Sequence, residues 1–124
     1  MPKKKVFLSK EAILKADDLA TEDVDVPEWG GAIRLRCLTG TERDEYEASV
    51  LVGKGKDRDI NMANARARMI FLSAVDEENN RIFTAQKDVE ALGKKNAAVL
   101  DRLFGVCQKL SGLRREDVDE LTGN

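Results

Sequence analysis

The chain has 124 residues, 42% of them hydrophobic and 35% charged, which is the composition of one globular domain with a heavily charged exterior. Its 21 Lys and Arg against 23 Asp and Glu leave a net charge of −2, and that balance argues against broad nucleic-acid binding. No run is long and apolar enough to span a bilayer. The basic start through Leu8 has too short an apolar part for a signal peptide.

The first expected element is a short helix at about 9–16. Ser9 is a good N-cap because its hydroxyl can accept from a free backbone N–H. Leu8 and Ile13 stand at hydrophobic-staple spacing around it. A β-hairpin follows at about 22–38. Val24 and Val26 alternate with Asp23 and Asp25; Ile33, Leu35 and Cys37 alternate with Arg34 and Arg36. This period of two sends the five apolar side chains to one face and the charges to the other. Pro27 and the Gly30-Gly31 pair mark the turn. In an antiparallel hairpin the Asp row faces the Arg row on the wet side. Trp29, the chain's one tryptophan, sits in that turn. It reads first as a cover over the open end of the hairpin core, since Trp is well buried on average, and second as an exposed anchor for a partner protein.

Thr39 and Glu42 have capping-box spacing and open a helix at about 40–52. Residues 53–59 form a charged, glycine-bearing loop. A second main helix is expected over 60–75, with Met62, Ala65, Met69 and Leu72 on one stripe widened by Ile70 and Phe71, so it should be sandwiched between other elements. Residues 76–80 are a polar turn and Arg81–Phe83 a short strand. Helices follow at 87–92, entered through Thr84 or Gln86, at 95–110 and at 115–121. The helix at 95–110 carries Ala97, Leu100, Phe104 and Cys107 on one stripe, with Val99, Leu103, Val106 and Leu110 beside it, and Gly112 suits its C-terminal cap. The fold class is α+β: an N-terminal β-hairpin packed on a mainly helical C-terminal part, in one domain over residues 1–124.

The chain contains no histidine, which removes Ser-His and Cys-His nucleophile pairs and the common zinc sites. It has neither a Walker phosphate loop nor a dinucleotide fingerprint. Asp76 to Ile82 has the oxygen spacing of a calcium loop, but Arg81 holds the position that requires glycine and Lys87 the position of the bidentate glutamate. Cys37 and Cys107 lie in apolar patterns and read as buried free thiols that act as small hydrophobes; a disulfide between them stays open in principle. Arg58, Arg66, Arg68, Arg114 and Arg115 could form a basic face for nucleic acid. Their neighbours carry both signs, so a solvated surface is the better reading. No catalytic, cofactor or metal residue is assigned, and Trp29 is the one candidate partner-binding residue.

The segments Val24 to Gly31 and Ile33 to Asp44, followed by Val75 to Glu77, Arg81 to Thr84 and Ala97 to Phe104, together resemble the tail assembly chaperones of long-tailed (siphovirus-type) bacteriophages. The similarity runs over most of residues 8–113 and rests on the order of these patterns rather than on one motif. Glycine is common in this family where the present chain has Asn79-Asn80. The resemblance implies a non-catalytic role in virion assembly in the host cell cytoplasm. It also implies binding to the long, aggregation-prone tape measure protein while tail tube subunits assemble around it. Further candidate contacts are the tail tube protein and self-association; no cofactor, nucleic acid or membrane is expected. The alternative function is a small nucleic-acid-binding regulator using the arginine-rich helix face. The family also often makes a longer product through a one-base backward frameshift. Codons for Thr122, Gly123 and Asn124 can spell a slippery heptamer, although an ordinary polar tail is the better reading of these residues.

Overall fold

The computed structural model describes residues 4–52, 59–60 and 63–112. The expected helix at 115–121, the tail at 122–124, the interior of the charged loop and Met62 lie outside the described residues.

The first helix, α1 (Lys10–Lys15), is capped by Ser9, whose hydroxyl accepts from the Ala12 N–H. It buries no side chain. The hairpin follows, with β1 (Thr21–Val26) and β2 (Gly31–Arg36) antiparallel. Pro27–Trp29 form a single 3-10 turn between them, closed by Gly30 at φ +82°, a left-handed conformation that favours glycine. The register sets Asp23 opposite Arg34 and Val24 opposite Ile33. The alternation holds: Val26, Leu35 and Cys37 are buried, Val24 and Ile33 pack partly buried against the core, and Arg34 bonds Asp23 through Nε at 2.7 Å on the outer face.

Helix α2 (Gly40–Val50) opens with the capping box: Thr39 Oγ1 accepts from the Glu42 N–H, and Glu42 Oε1 accepts from the Thr39 N–H. It ends two residues earlier than expected. Leu51–Val52 are a short strand, β3, paired with β4 (Asp59–Ile60) in a separate two-stranded ribbon. The expected 60–75 helix is also shorter. Its α-helical part, α3, is Ala65–Ser73, and Ala74–Val75 form β5, the third strand of the main sheet, pairing with Leu35 and Arg34 of β2. The correction has a packing cause. Helical periodicity cannot separate a buried helix end from a buried strand when every residue from Met69 to Val75 is enclosed. Burial over nearly the whole circumference of α3, from Ala65 through Ser73, agrees with the sandwiched position.

The polar turn after β5 is held by Asp76, whose Oδ1 accepts from the N–H groups of Glu78 and Asn80, and Asn79 takes φ +67°. Asparagine tolerates this region better than other side-chain-bearing residues. Arg81–Phe83 do not form a strand of their own; one isolated bridge joins Arg81 to Val75. Helix α4 (Asp88–Gly93) has Lys87 at its N-cap without a side-chain cap bond, in place of the expected Thr84 or Gln86. Helix α5 (Ala97–Leu110) is capped by Asn96 and followed by Gly112 at φ +69°. Its innermost residues are Val99, Leu100, Leu103 and Cys107, while Phe104, Val106 and Leu110 pack partly buried at the margin. The core lies between the inner face of the hairpin and helices α3 and α5, with α2 and α4 closing its sides.

Candidate functional site

The side chains that hold the body together also show what its surface leaves over. Glu42, buried at the start of α2, receives Arg36 Nη2 at 2.5 Å and lies 3.9 Å from Arg81 Nη1. Arg81 lies over the Phe71 ring, 4.8 Å from its centroid, and donates to the Phe71 carbonyl. This cluster ties β2, α2, α3 and the 76–83 segment together, and its charges are consumed in doing so. Arg102 of α5 makes a two-pronged contact with Glu28 at 3.0 and 3.2 Å, and Lys109 reaches Glu22 at 2.9 Å. Both fasten α5 to the hairpin. The Arg102 guanidinium holds the Glu28 carboxyl below the usual carboxylate range, and Arg34 does the same to Asp23.

Both cysteines are free and buried. Burial pushes the Cys107 thiol up to about 11, against a smaller pull from Ser73. A thiol so placed is a poor nucleophile. Among the described residues no group of carboxylates and cysteines is arranged to hold a metal ion. The 76–82 segment is a hydrogen-bonded turn, as its sequence indicated. Of the arginines considered as a basic face, Arg66 is paired with Asp101 and Arg68 is half-buried between helices. Arg58, Arg114 and Arg115 lie outside the described residues.

Against this, a set of large apolar side chains faces solvent. Trp29 stands at the hairpin tip, 37% exposed and outside the core cluster. Its indole is thus neither fully enclosed, as the favoured sequence reading had it, nor fully free. Trp29 lies in the tight turn from Pro27 to Gly30, next in sequence to Glu28. More apolar surface lies at the N-terminus, where Val6, Phe7, Leu8, Ile13 and Leu14 are all exposed, Phe7 to 89%. Sequence reasoning missed this set because it placed Leu8 and Ile13 in a local staple and stopped there. The signal was present: α1 offers too few apolar positions to dock on anything by itself. Exposed aromatic and aliphatic side chains at the hairpin tip and along the N-terminal segment are the kind of surface that contacts other proteins.

The family model of phage tail assembly chaperones matches residues 8–123. The chain belongs to the phage tail assembly chaperone family. The solved structure of the bacteriophage HK97 tail assembly chaperone has the same fold, with a TM-score of 0.56 at 19% sequence identity, over 81% of this chain and 90% of that one. No curated protein sequence matches the chain. Neither the family nor the fold likeness supports the nucleic-acid alternative.

Proposed function

We propose that the chain binds the phage tape measure protein in the host cytoplasm and keeps it assembly-competent while the tail tube forms, without catalysis. The observation that carries this reading is the exposed apolar set, taken together with the family. Ile13 and Leu14 on α1 and Trp29 at the hairpin tip offer large apolar contacts that a long, stripe-bearing helical partner can cover. Among the described residues no helix is long and apolar enough to cross a membrane.

Co-expression with the tape measure protein from the same phage is the test. The soluble yield of that protein should rise and the two should co-purify. Trp29→Ala and the pair Ile13→Asp with Leu14→Asp should reduce co-purification while leaving the chain folded. Unchanged tape measure solubility together with no co-purification at low salt would overturn the proposal.

A further inference from the structure

The main sheet has an open place. Strand β5 pairs with only Arg34 and Leu35 of β2, because the chain turns away at Asp76 into the 76–80 loop. The first half of β2, Gly31 to Ile33, therefore has β1 on one side and no strand on the other among the described residues. An open groove of about 560 Å³ lies there, with Ala32, Ile33, Val75 and Ile82 as its apolar lining. Ile82 is exposed within it. The charged part of its lining is Asp23, Arg34, Asp76 and Glu77. The one cation, Arg34, is spent on Asp23, the Glu77 carbonyl and Asn79. Asp76 and Glu77 form no salt bridge among the described residues. The groove thus combines a strand edge, an aliphatic floor and surplus negative charge.

The same chain carries a segment of matching chemistry. Lys4-Lys5-Val6-Phe7-Leu8 is outside any helix or strand and exposed throughout. Over residues 4–15 four lysines face one glutamate, a net charge of 4 − 1 = +3, whereas the whole chain is at −2; the remainder is therefore at −5. In its own molecule this segment stands free and the groove is empty of it. We propose that the groove takes the Lys4–Leu8 segment of a second copy as an added strand beside Gly31–Ile33. Backbone pairing would supply the affinity, as in other strand-addition contacts. The alternating side chains would lay Val6 and Leu8 toward the aliphatic lining, and Lys5, on the other face of the strand, would meet Asp76 and Glu77. The proposal is independent of tape measure binding, since it concerns only copies of this chain. A contact of about five residues is far smaller than a standard interface, so the association is weak and reversible.

The test is sedimentation equilibrium of the purified full-length chain over a concentration series at low and high salt. Weight-average mass should rise with concentration, and less so at high salt. Lys5→Glu and Glu77→Lys should each weaken association by about tenfold or more, as like charges are brought together. Glu77 is chosen because its side chain, unlike that of Asp76, holds no part of the loop. The two substitutions in one chain should restore association, which loss of folding cannot do. Val6→Asp with Leu8→Asp should abolish it. A wild-type chain that stays monomeric throughout the series overturns the proposal. So does association that ignores both charge reversals, or a double variant that fails to recover while each single variant remains folded.

Discussion

Leu35 shows how much a single position can decide. It is fully enclosed at the centre of the sheet, with β1 on one side and β5 on the other. Leu35→Ala should cost about 2–5 kcal/mol, and Leu35→Asp should leave the chain unfolded or aggregated because an unpaired charge would be buried; thermal melting by circular dichroism checks both. Arg34, its neighbour on the outer face, is different. Arg34→Ala should be mild by comparison, as for other exposed ion pairs, yet it should raise the Asp23 titration midpoint toward the ordinary carboxylate value, read by NMR. Cys107 gives a pH signature. Its thiol is raised from 9.0 to about 11 when folded, so between those values the unfolded chain binds fewer protons than the folded one. Stability tied to this group is full below pH 9 and falls as pH rises toward 11, by on the order of 2–3 kcal/mol. Tyr46, also raised by burial, adds to the same alkaline limb. Denaturant titrations across that range should show a shallower fall for Cys107→Ala, with Tyr46→Phe separating the two contributions.

Helix ends and short strands carry the next level of the argument. Thr39→Ala removes one half of the α2 capping box and should cost about 0.5–2 kcal/mol. Glu42→Ala should cost more, about 3 kcal/mol, because it also strands Arg36, a guanidinium with little access to water; urea denaturation of the two variants would rank them, and an equal loss would refute the shared role of Glu42. The capping box, the two faces of the hairpin and the Ser9 cap were legible in the sequence because each depends on residues three or fewer positions apart, or on strict alternation; of the expected Asp and Arg rows, only Asp23 and Arg34 stand opposite each other. The ends of α2 and α3 were not. Leu51-Val52 and Ala74-Val75 continue the apolar run of the helix before them, and only pairing with β4 and β2 turns them into strands. That partner information is non-local. Trp29 is a related case: average burial says nothing of the 37% of its surface that a tight turn leaves open to solvent. The candidate surface was only partly legible: Trp29 could be named, but the exposure of Val6, Phe7, Leu8, Ile13 and Leu14 could not.

At the scale of the whole molecule, the chain divides into a body that folds around α3 and α5 and an N-terminal segment that adds nothing to it. Residues 4–15 contribute no side chain to the core. The bonds that close the ends of α1 are internal: Ser9 accepts from the Ala12 and Ile13 N–H groups, and the Ala16 N–H donates back to the Ala12 and Ile13 carbonyls. A six-residue helix is too short to be stable in water by itself, and its exposed Ile13 and Leu14 bury nothing that would compensate. Deleting residues 1–15 should therefore leave the fold intact. The melting temperature should move by no more than about 2 °C, well under the 4–8 °C that 1 kcal/mol represents in a domain near this size. The urea m-value should also stay nearly constant, because m follows the surface exposed on unfolding and this segment is exposed in both states. Function should respond in the opposite way, with tape measure co-purification reduced by the same deletion. A truncated chain that melts many degrees lower would mean that the segment is part of the body after all, and its apolar side chains would then have to be counted as core rather than as surface held ready for another protein.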